Sequence, residues 1–234
     1  MNGFTDIHAH FLFGLDDGAR SRSDMEAMLD AAYADGITSL FATPHVTPGV
    51  YPINTELMTQ RLNEAQAYCR LKGYEMNLHA GAENMYTPAL ERFAVEGRLL
   101  TLGESDHVLV EFVPDIAYRE LNDAIEKIER AGYTVVVAHM ERYKCLTHRD
   151  NALRLKEEHD IRYQMNCHSV LEKTGFLKDR FINRCLDKEI IDAIATDSHD
   201  RSKRPTRMKE AFALLSRRYG REYADRITGM KGIL

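Results

Sequence analysis

Residues 134–139 read "TVVVAH", a threonine and three valines followed by an alanine and a histidine. β-branched residues of this kind favour extended backbone. No polar residue alternates with them, so the strand is expected to be buried on both faces, as in a parallel sheet covered by helices. The apolar run also ends on an imidazole, His139, with Glu141 and Arg142 close behind.

The same pattern recurs on both sides. Candidate strands are Thr5–His8, Thr38–Ala42, Met76–Ala80, Val108–Phe112, Thr134–Ala138, Arg162–Asn166 and Ile190–Ala195. Helical stripes alternate with them. Met25, Met28, Leu29 and Ala32 form one, with Ser23 and Glu26 as its capping box and Gly36 as its stop. Met58, Leu62, Ala65 and Cys69 form a second, closed by Gly73, and Leu121, Ala124, Ile125 and Ile128 a third, closed by Gly132. Met208, Ala211, Phe212 and Leu215 form a fourth, with Pro205 in its first turn. No repeat, low-complexity segment or linker intervenes, so residues 1–234 read as a single domain. Seven strand–helix units predict a parallel α/β fold, either a barrel or an open doubly wound sheet.

Composition narrows the function classes. Hydrophobic residues make up 44% and charged residues 29%, the balance of a soluble chain with a core. A net charge of −5 argues against nucleic acid as a partner. No apolar run approaches the roughly 20 residues of a membrane helix, and no secretory signal is visible. Cys69, Cys145, Cys167 and Cys185 form no CxxC pair, so reduced thiols in the cytoplasm are expected.

The chemistry lies at the strand ends. In "FTDIHAHFLF", Phe4 to Phe13, His8 and His10 sit one residue apart and share one face of a strand. "LDDG" then brings Asp16 and Asp17. The second strand leads to His45, the third to Glu83, the fourth to Glu111, and the seventh to Asp197 and His199. In a parallel barrel these ends share one face, where active sites form. One such residue is most simply a satisfied hydrogen-bonder. Repetition at six of seven strands points to shared metal ligation. Nitrogen and oxygen donors without sulfur favour manganese, iron, zinc or magnesium. The set is too large for one ion, and the carboxylates do not neutralise three divalent ions. Surplus positive charge suits a hydroxide and a phosphate ester, and metal-bound water titrates near ~7.

Other phosphatase routes fit poorly. A covalent cysteine needs an arginine six positions on, yet the residues there are Glu75, Asn151, Lys173 and Ile191. An aspartyl-phosphate route needs a DxD pair that "LDDG" does not supply. Amidohydrolase-like barrels usually carry a bridging lysine at a strand end, and these strand ends carry none.

In this order "DIHAH", "TPH", "GAE", "EF", "AHMERY" and "TDSH" resemble the PHP (polymerase and histidinol phosphatase) superfamily. "LDDGARS", "GAENMYTP", "AHMERY" and "QMNCHSVL" look like its bacterial protein-tyrosine phosphatase branch, the CpsB/YwqE type of capsule and exopolysaccharide regulators. The resemblance runs from about Asp6 to the C-terminal helix. "TPH" stands where relatives often place a serine before the histidine, and the tail "ITGMKGIL" lacks their Asn-Pro turn.

The resemblance implies a distorted (β/α)7 TIM-like barrel with three divalent metals, manganese first among them. His8, His10, Glu83 and Asp197 would hold one ion; Glu83, Glu111 and His139 a second; Asp17, His45 and His199 a third. Asp17 is chosen over Asp16 because the family ligand precedes the glycine, which leaves Asp16 behind the ligands or facing solvent. Arg142 and Arg204 match arginines that bind the substrate phosphate, a role that suits a guanidinium. The expected reaction is hydrolysis of phosphotyrosine by a metal-bound hydroxide. The expected partner is the tyrosine-rich tail of a bacterial tyrosine autokinase, which calls for an open site. Tyr51, Tyr86 and Tyr143 are candidates to stack on the phenyl ring, with plain packing the simpler reading. The rivals are a histidinol-phosphate or other small-molecule phosphoesterase on the same scaffold, and a metal-bound regulatory module without catalysis.

Overall fold

The computed structural model describes residues 3–50, 54–148, 150–173 and 175–229. Along them run β1 (Phe4–Ala9), α1 (Arg22–Ala34), β2 (Ile37–Ala42), β3 (His45–Val46), α2 (Thr55–Lys72), β4 (Asn77–Ala80), β5 (Glu83–Met85), α3 (Pro88–Val95), β6 (His107–Glu111) and α4 (Tyr118–Arg130). Then follow β7 (Thr134–Val137), a 3-10 turn (Met140–Arg142), α5 (Lys144–Thr147), α6 (Asn151–Glu158), β8 (Arg162–Asn166), α7 (Cys167–Leu171), α8 (Phe176–Asp187), β9 (Ala193–Ala195), α9 (Met208–Tyr219) and α10 (Arg221–Thr228).

Every strand pair is parallel. The strands lie in the orders β1-β2-β4 and β3-β5-β6-β7-β8-β9. The last strand returns to the first: Ala9 bridges Ser198, Asp197 N–H donates to His8 O at 2.8 Å, and His10 N–H donates to Ser198 O at 2.9 Å. The result is a curled parallel α/β sheet.

All seven expected strands are present with boundaries moved by up to three residues, and β3 and β5 are additional. The extra elements arise where two strands break. Between β2 and β3 stands Pro44, which has no N–H to give to a ladder. Between β4 and β5 stands Gly81, where a Cβ would come within 3.1 Å of Leu102. Beyond each break the chain resumes extension, and these resumed segments carry His45 and Glu83.

β7 is buried as its sequence demands. Val135 and Val137 pack in the large cluster between sheet and helices, whereas Val136 and Ala138 pack in a small inner cluster. Leu109, Ala193, Ala195, Ile7 and Phe41 share that inner cluster, the filled interior of the curl.

The four expected helices form, and their stripes bury Met25, Met28, Leu29 and Ala32 in α1, and Leu121, Ala124, Ile125 and Ile128 in α4. Two helix starts differ from expectation. The capping box of α1 is Ser21 with Asp24, not Ser23 with Glu26: Asp24 N–H donates to Ser21 Oγ at 3.2 Å and Ser21 N–H to Asp24 Oδ2 at 3.0 Å. Pro205 precedes α9 rather than opening it. The helix starts at Met208, whose N–H donates to Asp35 Oδ2 at 2.6 Å, so a residue distant in sequence caps it. The final residues of "ITGMKGIL", 230–234, lie outside the described residues, as does Tyr51.

Candidate metal centre

Strand ends deliver the functional side chains. His8 lies on β1 and His10 just past it; β3 opens with His45, β5 opens with Glu83 and β6 ends on Glu111. His139 follows β7, and Asp197 and His199 follow β9. His139 (φ 31°) and Asp197 (φ 52°) have left-handed backbones, uncommon for non-glycine residues and often found at functional sites.

Their polar atoms converge. His8 Nε2 lies 3.1 Å from Glu83 Oε2 and 3.5 Å from Asp197 Oδ1. His10 Nε2 lies 3.4 Å and 3.6 Å from the same two oxygens. His45 Nδ1 is 3.0 Å from Glu83 Oε2 and 3.8 Å from Glu111 Oε2. His139 Nε2 is 2.8 Å from Glu83 Oε1 and 3.5 Å from Glu111 Oε1. Asp17 Oδ1 lies 3.5 Å from His45 Nε2 and 3.4 Å from His199 Nε2.

All nine candidate ligands therefore meet in one site. Three groups have donor atoms within 4.8 Å of one another: His8, His10, Glu83 and Asp197; His45, Glu83 and Glu111; and His10, Asp17, His45 and His199. The first is the set expected from the sequence. The second has His45 where His139 was expected, with His139 beside the same two carboxylates. The third adds His10.

The donor set suits divalent cations. His8 Nε2, His10 Nε2, His199 Nε2 and Glu83 Oε2 are buried and make no hydrogen bond among the described residues. Such orphaned atoms are costly unless something else satisfies them. Titration has the same sense. Burial pushes the Glu83 carboxyl up, but His8, His10, His139 and His45 outweigh it and hold the group well below its usual range. Burial pushes His10 down, but Asp16, Asp197 and Glu83 leave it well above. The cluster thus draws in positive charge. His199 differs: burial and the neighbouring His10 bring it down to about 4, leaving it neutral and able to ligate.

The arginines stand at the edge of this cluster. Arg142 Nη2 donates to Asp197 Oδ2 at 2.6 Å, rather than pairing with Glu141 or Asp150. Arg204 Nη2 donates to Asp17 Oδ2 at 2.9 Å. Asp17 is 61% exposed, Arg204 42% and His45 36%, so the site is open on that side. Tyr143 is fully buried and its hydroxyl accepts from Phe112 N–H, so it packs and does not face a ligand. Tyr86 is half-buried and donates to Glu91 at 2.7 Å.

Behind the ligands lie supporting residues, of which sequence reasoning allowed for Asp16 and missed Asp6, Gln164 and Asn166. Asp16, expected to lie behind the ligands or face solvent, holds His10 Nδ1 at 2.6 Å and accepts from His45 N–H at 3.0 Å. Asp6 is fully buried, burial pushes its carboxyl up to about 6, and it accepts from Thr196 N–H at 3.0 Å, tying β1 to the end of β9. Gln164 and Asn166, on β8, the one of the seven expected strands that leads to no candidate ligand, touch His8 and Asp197. Their signal was the i, i+2 spacing that they share with His8 and His10.

Fold and site together define a class: metal-dependent hydrolases built on a curled parallel α/β sheet. Within that class, the chain belongs to the family described as capsular polysaccharide synthesis, CpsB/CapC, whose model matches residues 4–231. It is 28% identical over 229 residues to the tyrosine-protein phosphatase CpsB of Streptococcus pneumoniae, covering 95% of this chain and 93% of that one. It is 28% identical over 228 residues to the tyrosine-protein phosphatase YwqE of Bacillus subtilis, covering 95% and 88%. Among solved structures it is similar to those of YwqE and CpsB, described as unique metal-dependent tyrosine phosphatases, with a TM-score of 0.84, 26% identity and coverage of 94% and 89%. A lactonase from Listeria monocytogenes shares the fold alone, with a TM-score of 0.60 at 10% identity over 97% and 92% of the two chains.

Proposed function

We propose that this protein is a metal-dependent protein-tyrosine phosphatase. The observation that carries the reading is the meeting of imidazoles and carboxylates from six strands beside two arginines at one open edge. The named relatives are tyrosine-protein phosphatases, and the residues that the sequence resemblance singles out have their donor atoms close together in this chain.

His8, His10, Glu83 and Asp197 would hold one ion, Glu83, Glu111 and His139 a second, and Asp17, His45 and His199 a third. Manganese is the proposed metal, with iron, zinc and magnesium as alternatives. Bound there, such ions supply Lewis acidity toward phosphoryl oxygens and a water acidic enough to attack near neutral pH. Glu83 belongs to two of the sets, so its buried carboxylate would be shared between them. Arg142 and Arg204 each already hold a carboxylate of the cluster and present further N–H groups to an entering phosphate. The phenolate leaving group needs little acid assistance, because its conjugate acid has a pKa of about 10.

The wider reading follows. The curl is a distorted seven-stranded barrel, counting β2 with β3 and β4 with β5 as interrupted single strands, and residues 1–234 form one domain. The substrate is the phosphorylated, tyrosine-rich tail of a bacterial tyrosine kinase that controls capsular or exopolysaccharide synthesis, met in the cytoplasm. Turnover of a phosphotyrosine peptide, p-nitrophenyl phosphate and histidinol phosphate, each with manganese and with chelator, tests this. The peptide should be the preferred substrate and chelator should abolish turnover. Preference for histidinol phosphate overturns the substrate, and failure to hydrolyse any of the three with manganese favours a regulatory module.

A further inference from the structure

Gln164 and Asn166 form a chain of hydrogen bonds through the base of the site. The backbone N–H of His139 donates to Gln164 Oε1 at 2.6 Å. A backbone amide can only donate, so the atom facing it is the carboxamide oxygen and the Gln164 amide orientation is fixed. Its Nε2 then donates to Asn166 Oδ1 at 2.7 Å. That fixes Asn166 in turn, and Asn166 Nδ2 donates to Asp197 Oδ2 at 2.8 Å. At the other end, His8 Nδ1 lies 3.1 Å from the same Gln164 oxygen. An oxygen cannot donate, so His8 Nδ1 must carry a hydrogen.

We propose that Gln164 and Asn166 are positioning residues that act as one unit, fixing neutral His8 as its Nδ1–H tautomer and engaging Asp197 through Oδ2. Both are fully buried. His8 Nε2 and Asp197 Oδ1, the two atoms that this chain of hydrogen bonds does not engage, face each other at 3.5 Å within the first group of candidate ligands. Two side chains thus prepare ligands distant in sequence, and Gln164, which touches both His8 and Asn166, is anchored by the backbone N–H of His139. The proposal rests on the metal reading given above. Hydrogen bonds of this kind behind a ligating histidine fix its tautomer and raise its basicity.

The test has two parts, both on the full chain. Ring-nitrogen NMR of histidine-labelled wild-type protein loaded with zinc(II) should show His8 protonated at Nδ1 and unprotonated at Nε2. Manganese(II) affinity, measured by titration calorimetry for Gln164→Leu, Asn166→Leu and the double variant, should fall roughly 10–100-fold in each single variant. The double variant should lose little more than the worse single one, as expected of residues acting together. His8 protonated at Nε2 in the wild type overturns the proposal without recourse to any variant, as does wild-type affinity in a folded Gln164→Leu. Wild-type protein that binds neither metal overturns the metal reading itself.

Discussion

Glu83 gathers four imidazoles around one buried carboxylate. Arg142 is of another kind, since it touches the cluster only through Asp197 and Glu111. Arg142→Ala should therefore keep its bound manganese while kcat on a phosphotyrosine peptide falls by about 100-fold or more, the loss typical of one preorganised charge donor. Metal analysis beside steady-state kinetics separates the two quantities. His139→Ala should behave oppositely, losing activity together with one equivalent of metal on the same measurements. An Arg142→Ala enzyme that turns over normally would remove that guanidinium from the reaction.

The interrupted strands show which parts of the design sequence patterns reveal. β7, β8 and the stripe of α4 were legible because burial on both faces, or on one helical face, leaves a periodic apolar signal. The strand ends were legible because imidazole and carboxylate recur there. Gln164 and Asn166 were not, because a carboxamide on a strand looks like any other polar residue until its partners are known. The cap of α9 was invisible for a related reason: Asp35 lies on the far side of the sequence. The choice between Asp16 and Asp17 came from resemblance, not from spacing. At the start of α1 two serines compete, and geometry chooses the earlier. Ser21→Ala should lower stability by about 1 kcal/mol in urea denaturation. Ser23→Ala should change it by no more than about 0.5 kcal/mol.

Bound cations should also stabilise the whole chain. Ions that bind only the folded form add stability by mass action, roughly 2.7 kcal/mol at a hundredfold excess over Kd. Chelation should lower the thermal midpoint seen by calorimetry, and restored manganese should raise it again. The sign of the pH effect follows from the imidazoles. His8, His10 and His45 are all raised from the ordinary histidine value, against burial, by Glu83 and the other carboxylates near them. Protons are thus held to higher pH and compete there with the metal. Manganese affinity should climb with pH through and above the usual histidine range, and titrations at several pH values would show it; a flat profile would contradict the ligand assignment.

The closing contact between the first and last strands has a consequence in time. His8 and His10 are translated well before Asp197 and Ser198, which are joined to them by backbone hydrogen bonds and lead into His199. A chain translated only through β8 lacks Asp197 and His199, two of the nine candidate ligands. The first and third groups of candidate ligands therefore close only once β9 has docked against β1, so their completion reports that the sheet has formed.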